Sequence, residues 1–595
     1  MRKLIIFTLA TFACYSTMAQ TSQWGTPTGN VQFPKNNYTE LPDPKVADSA
    51  ALASWAKVKG TQASWGNSDV RYDKNAAPAI TRAVLGQSLT AWRGEQLGAQ
   101  AVVWSATTID ELNFELSPLV STKNAQDTIK GSAAFVRYVM QDNFFTCGYR
   151  EKIAKWDSSL VADPIDHLAK SLKIEAHTTR PLWVKVQVPQ TATQGDYKGS
   201  LTIKNGEQVI ATLTLTIHVL DRALPDVKEW AFHLDMWQNP YAEARYQGVV
   251  PFSDEHFAAM RPGLELLRAA GQKVITTSIM HKPWGGQTED YFESMVSWIR
   301  RGDGTWAFDF TTFDRWVEYM QSLGFDGQIA CYTMIPWNMS FKYYDQVTNS
   351  MQTLRAATSD KAYAEVWTAL LKSLSAHLRE RGWFDRAVIS MDERDTKAMM
   401  DAFAIIKAAD PAFKVSLAGG NHPEIEAELY DYSMASDNLF TPEVLAKRRA
   451  KGQISTFYTC CAQKFPNLFT YSPAAQIEWI GWFAAAKNYD GYLRWAFNSY
   501  TKEPLLDARF RAFQSGDCYM IYPGGRSSIR WEKMIDGVEV FEKIRILRAE
   551  FEAKKDIRSL ARLDKLLAEF DLAKLEKNID PSVMVDRARV ELNKM

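Results

Sequence analysis

Met391-Asp392-Glu393-Arg394 sets two carboxylic acids side by side, directly after the apolar run Ala387-Val388-Ile389-Ser390. Two acids in one place can divide labour, one holding a proton to give away and the other staying ionised to steady a positive charge. Glycosidic bond cleavage needs that division. In its usual form the two carboxyls flank the bond from different strands, which neighbours in sequence do not readily do. Adjacent acids suit a route in which a substrate's own 2-acetamido oxygen attacks the anomeric carbon. Glu393 would then be the general acid, and Asp392 would orient the acetamido N–H. Consecutive strand residues face opposite ways, so the backbone is expected to leave strand geometry here. Like charges this close raise one pKa, expected at Glu393. A solvated loop whose Asp caps the next helix is the plainer reading of the same residues.

The elements that would position this pair are legible around it. From about residue 228 the chain alternates strand and helix. Eight strands are expected, at Ala231–Trp237, Val274–Met280, Gln328–Met334, Ala387–Asp392, Lys414–Ala418, Tyr430–Ala435, Ile454–Thr459 and Gly491–Phe497. Amphipathic segments separate them, as in Trp367, Leu370, Leu371 and Leu374. Gly271, Gly324, Gly382 and Gly452 stand where left-handed helix caps belong. Eight such units over roughly 300 residues is the size of a (β/α)8 barrel, whose chemistry sits at the C-terminal strand ends. No GxGxxG or GxxxxGK[ST] follows a strand, which argues against a nucleotide-binding open sheet.

Reading off the strand ends gives candidate binding residues: Trp237 and Gln238, His281, Trp337 and Asn338, Tyr458, Trp495 and Asn498. Tyr458 would donate to the acetamido oxygen, Trp495 would floor a sugar ring, and His281 would sit at the rim. Each has an ordinary alternative as barrel packing.

Other stretches set the domain organisation. Residues 1–19 read as an export signal, with Arg2-Lys3, a short apolar run and Thr17-Met18-Ala19 before the cut, placing the protein in the periplasm or outside the cell. The run is too short to span a bilayer. Residues 20–50 form a leader. Residues 51–226 alternate with a period of two, and Asn205-Gly206 signals a hairpin, so a β-sandwich is expected. The barrel would occupy 227–534 and a helical region 535–595. The fold class is thus multidomain α/β, with an N-terminal β-sandwich, a central TIM-like barrel and a C-terminal helical appendage.

Composition narrows the partners. Lys+Arg and Asp+Glu are both 69 in 595 residues, with no basic stripe, which argues against nucleic acid. The chain is rich in aromatics, with 20 Trp, 23 Tyr and 30 Phe, and indoles can cover the flat C–H faces of sugars. The eight His are scattered and no HExxH occurs, so neither a metal nor another cofactor is expected. The five Cys left after signal removal do not suggest a disulfide framework. The oligomeric state has no signature.

Val388–Arg394, together with Tyr522-Pro523-Gly524-Gly525-Arg526-Ser527-Ser528-Ile529-Arg530-Trp531-Glu532, resembles glycoside hydrolase family 123, whose catalytic region also carries the label domain of unknown function 4091. The resemblance spans most of the mature chain. It implies exo-acting, retaining, substrate-assisted release of terminal β-linked N-acetylgalactosamine, with Asp392 polarising and Glu393 as acid/base. The galacto preference comes from the resemblance alone. A β-N-acetylglucosaminidase of the same mechanism and a non-catalytic glycan-binding protein remain open alternatives. Arg530 is expected to brace the barrel end by pairing with a carboxylate.

Overall fold

The computed structural model describes residues 37–45, 49–143, 147–150, 156–577 and 580–595. The expected export signal lies outside these residues, as does most of the leader.

The N-terminal region is a β-sandwich. One sheet runs in the order Thr61–Gly66, Gln96–Ser105, Thr178–Gln187, Gly131–Asp142, Ser158–Asp166 and Ser527–Ser528. The other is built on Gly86–Arg93, Gln208–Ala223, Gly195–Asn205, Ile109–Leu116 and Leu172–Ile174. In Gln208–Ala223 the alternate residues Leu213, Leu215, Ile217 and Val219 are buried. They meet Leu182, Val184 and Val186 from the facing sheet in one core, which is what a period of two on half-buried strands produces. The hairpin turn is at Gly206, with φ +54°.

All eight expected barrel strands are present and parallel: β1 (His233–Met236), β2 (Ile275–Ser278), β3 (Ile329–Tyr332), β4 (Ala387–Asp392), β5 (Lys414–Gly419), β6 (Asp431–Ala435), β7 (Ile454–Tyr458) and β8 (Gly491–Arg494). Their order is β1-β8-β7-β6-β5-β4-β3-β2. The curled sheet is open at one seam, because among the described residues β1 and β2 form no ladder. Side-chain amides stand in for it. Gln272 accepts from the Met236 N–H at 2.8 Å and donates to the Met236 carbonyl at 2.9 Å. Gln238 accepts from the Thr276 N–H at 2.9 Å. Backbone groups that would be orphaned at the edge are thereby satisfied.

The helices between strands follow the apolar pattern, and Gly271, Gly324, Gly382 and Gly452 all adopt positive φ, from 68° to 90°. A small four-stranded sheet, absent from the sequence reading, is inserted after β2 and β3 at Ser297–Arg300, Trp306–Asp309, Ser340–Asp345 and Ser350–Arg355.

A long helix, Ile529–Ala553, packs on the helix Ala475–Lys487 that precedes β8. Their backbones touch where both residues are glycine: a Cβ on Gly481 would lie 1.8 Å from the Gly537 carbonyl oxygen. The expected change of domain at 534/535 falls inside this helix. Beyond it, Ile557–Leu567, Leu572–Glu576 and Pro581–Leu592 complete the C-terminal helical region.

The Tyr522–Glu532 segment joins barrel to sandwich. Ser527 and Ser528 pair with Ile165 and Pro164. Arg526 bonds Asp166 at 2.6 Å, Arg530 bonds Asp163 at 2.9 Å, and the Tyr522 hydroxyl donates to Asp163 at 2.7 Å. These side chains are buried. The expected carboxylate partner of Arg530 is Asp163.

Candidate active site

β4 delivers Asp392 to the C-terminal mouth of the barrel, and the chain then turns sharply. Glu393 has φ +43°, a left-handed conformation that disfavours a side-chain-bearing residue. Its N–H donates to the Ala418 carbonyl of β5 at 2.7 Å. The turn lets two consecutive side chains reach one hollow instead of opposite faces. The helix that follows is capped by Asp395, which accepts from the Ala398 N–H. Asp395 thus takes the capping role and leaves the pair free of it.

Asp392 and Glu393 line a cavity of about 640 Å³. Asp392 is half-buried at the strand end, and Glu393 is exposed to the cleft. A smaller hollow of about 300 Å³ at the opposite, N-terminal strand ends holds neither carboxylate.

The electrostatics separate the two acids. Burial raises the Asp392 pKa to about 7, and the negative charge of Glu393 adds to the rise. Arg394 and the indoles of Trp337 and Trp284 pull the other way. Trp284 Nε1 nonetheless makes no full hydrogen bond. The raised acid was expected at Glu393. The rise falls on Asp392 because Asp392 is the one the strand end removes from water.

Tyr458, at the end of β7, lies across from the pair. Its hydroxyl donates to Glu393 Oε1 at 2.8 Å. Burial, reinforced by the Glu393 charge, pushes its pKa far up, so it stays a donor.

Indoles wall the cavity. Trp237 stacks on Trp284 with centroids 4.9 Å apart, and both tilt against Tyr332. Trp337 is 42% exposed, with the Arg394 guanidinium 4.1 Å from its ring centroid. Asn338 also lines the cavity. Trp495 is held by its N–H, which donates to Asp517 at 2.9 Å. That carboxylate in turn accepts from the fully buried Arg494 at 2.6 Å.

Three candidates lie outside the cavity lining. His281 is hydrogen-bonded through Nδ1 to Glu293. Asn498 is buried, exchanging bonds with the Asn239 backbone at 2.8 and 3.1 Å. Gln238 closes the barrel seam. Among the described residues no three His, Cys, Asp or Glu side chains gather as a metal site.

A model described as the glycoside hydrolase 123 catalytic domain matches residues 237–547, just over half of the chain. The chain belongs to glycoside hydrolase family 123. A second model, the glycoside hydrolase 123 N-terminal domain, matches residues 65–205. Curated proteins offer no match. Among solved structures, a family 123 glycoside hydrolase from Clostridium perfringens, described for glycolipid glycan hydrolysis, aligns at TM-score 0.81 and 23% identity. The alignment covers 90% of this chain and 98% of that one, and it speaks to the fold. A family 39 glycoside hydrolase from Bacteroides cellulosilyticus WH2 aligns at TM-score 0.32 and 10% identity over 72% and 80% of the two chains, too low to carry an argument. The catalytic-domain match runs through most of the Ile529–Ala553 helix, in keeping with its packing on the barrel.

The structure shows features around the cavity that the sequence does not disclose. Trp284, which follows β2, is one, and it stacks with Trp237 in the cavity wall. Asp235, on β1, is buried outside the cavity lining, and that burial raises its pKa to about 7. A disulfide joins Cys147 to Cys461 across 314 residues, correcting the reading of the cysteines. It brings Gly148 and Tyr149 of the sandwich to the cavity wall. Neither spacing nor periodicity announces such a link.

Proposed function

We propose that this glycoside hydrolase releases terminal β-linked N-acetylgalactosamine by retaining, substrate-assisted catalysis. The supporting observation is that Asp392 and Glu393, adjacent in sequence, share one indole-walled cavity. The C–H face of a hexosamine ring would rest on the Trp237–Trp284 wall. The ring's acetamido oxygen attacks C1 while the bond from C1 to the leaving oxygen breaks. Glu393 gives its proton to that oxygen. Asp392, ionised, accepts the acetamido N–H and offsets the positive charge of the cyclised oxazolinium. Glu393 then takes a proton from water as it adds to C1, the ring opens, and the sugar leaves with its β configuration kept. Tyr458 is placed to swing its donor from Glu393 to the acetamido oxygen once a substrate is bound.

The galacto preference rests on family membership. The Clostridium relative is described for glycolipid glycan hydrolysis, which makes glycolipid-derived oligosaccharides the first natural substrates to try. The apolar run near residue 10 supports export, and among the described residues no helix is long and apolar enough to cross a membrane.

The test is hydrolysis of p-nitrophenyl β-N-acetylgalactosaminide and β-N-acetylglucosaminide, with and without a thiazoline mimic of the cyclised intermediate. Turnover of the galacto compound and its inhibition by the galacto-configured thiazoline are expected. Turnover of the gluco compound alone overturns the sugar assignment. Indifference to the thiazoline overturns acetamido participation.

A further inference from the structure

Residues 147–150 reach the catalytic cavity from the sandwich, not from the barrel. Two strands of the sandwich, Gly131–Asp142 and Ser158–Asp166, flank this stretch of chain. Cys147 is tied to Cys461, three residues beyond Tyr458 at the end of β7. Backbone bonds pin the same segment to the loop after β8: Gly148 N–H to the Ala512 carbonyl at 3.2 Å, and Arg150 N–H to the Arg511 carbonyl at 2.7 Å. The Arg150 guanidinium adds bonds to the Phe510 and Phe513 carbonyls at 2.7 and 3.0 Å.

All of this holds up one side chain that does little packing itself. Tyr149 lines the cavity and is 73% exposed. The Arg511 guanidinium lies 5.9 Å from its ring centroid. An aromatic ring left open to water at a cavity mouth, on a covalently fixed segment, is a preorganised stacking surface. The carboxylates and the Trp237–Trp284 wall belong to the barrel and serve the sugar being released. A cavity of about 640 Å³ has room for more than that one ring.

Resting on the hydrolytic reading above, we propose that Tyr149 is the platform for the leaving-group sugar, a hexopyranose whose C–H face stacks on it. The Cys147–Cys461 bond fixes that platform opposite the barrel. The enzyme would then select its glycans partly through a residue of the sandwich domain.

The experiment compares kcat/KM for methyl β-N-acetylgalactosaminide with kcat/KM for a disaccharide in which the same sugar is β-linked to galactose. Both leaving groups are alcohols, so the ratio isolates contact with the second ring. Tyr149→Ala should lower the disaccharide-to-methyl ratio about tenfold, the worth of one aromatic contact. Tyr149→Phe should keep it, since stacking needs the ring and not the hydroxyl. The paired Cys147→Ser, Cys461→Ser variant should lower the ratio too, because the platform is no longer held. An unchanged ratio in Tyr149→Ala, with wild-type protein cleaving both substrates, sinks the platform and leaves the hydrolytic reading standing. Wild-type protein that cleaves neither substrate sinks both.

Discussion

The Tyr458 hydroxyl donates to Glu393 Oε1 across 2.8 Å, joining the end of β7 to the residue just past β4. The proposed reaction asks the same hydroxyl to turn to the acetamido oxygen of a bound substrate. Tyr458→Phe removes a donor aimed at a reacting oxygen. Loss of one such donor costs on the order of 10²-fold in rate. The expected result is a fall of about that size in kcat for an aryl N-acetylgalactosaminide, with the fold unchanged by circular dichroism. A rise confined to KM, with kcat kept, would make Tyr458 a contact that holds ground state and transition state equally.

Glu393 and Asp392 should fail in different ways. Glu393→Gln cannot protonate the leaving oxygen, so its loss grows as the leaving group worsens. About 10²- to 10⁴-fold is expected for an alkyl glycoside, and far less for a dinitrophenyl one. Asp392→Asn cannot offset the oxazolinium charge, which forms whatever the leaving group. Its loss should be similar across the same series. A flat series for Glu393→Gln would remove it from the acid role.

The raised pKa of Asp392 has two measurable consequences. Ionised Asp392 is the form that accepts the acetamido N–H. As pH falls through about 7, the free enzyme takes up a proton there and kcat/KM should fall with it. For stability the sign is opposite to that of a salt-bridged carboxylate. Folded Asp392 holds its proton more tightly than an unfolded Asp, which titrates near ~3.9. Folding is therefore weakened as pH rises through this interval, and the whole penalty is present above 7. Asp392→Asn should raise the Tm at pH 8 and leave it little changed at pH 4. An equal shift at both values would mean that the penalty is not one of charge.

The sequence discloses the β4 end well and its neighbours unevenly, for physical reasons. An apolar run followed by two acids, between helices with a 3.6-residue period, places Asp392 and Glu393 at a barrel mouth because periodicity reports burial. It does not report which of two acids is the more deeply enclosed, and so the raised pKa was expected on the wrong neighbour. Gln238, His281 and Asn498 also follow strand ends. A polar side chain there looks the same in sequence whether it faces the cavity or a neighbouring backbone. Here Gln238 and Asn498 satisfy backbone groups, and His281 bonds Glu293. The Tyr522–Glu532 segment carries part of the family resemblance, yet its arginines bond the sandwich carboxylates and do not line the cavity of Asp392 and Glu393. Tyr149 sits on an irregular stretch whose position depends on Cys461, 314 residues from Cys147, a link with no local pattern.

That arginine clamp yields a last prediction. Asp163 is buried and accepts from Arg530 at 2.9 Å, Arg71 at 2.8 Å and Tyr522 at 2.7 Å. Burial alone would raise its pKa, but Arg530 and Arg71 outweigh burial and hold it down. Arg530 in turn donates to the Leu468, Gly516 and Tyr519 carbonyls of the barrel at 3.0, 2.8 and 2.7 Å. Breaking one partner of such a pair strands a charge away from water, at a cost of about 3–5 kcal/mol. Asp163→Asn and Arg530→Met should each destabilise the protein on that scale, read as a lower first transition in a thermal scan. Once one partner is gone, removing the other takes away a charge already stranded. The double variant should therefore lose less than the two single losses together. Additive losses would show that the ion pair carries little, and that each side chain acts through its other bonds, Arg530 through the barrel carbonyls and Asp163 through Arg71 and Tyr522.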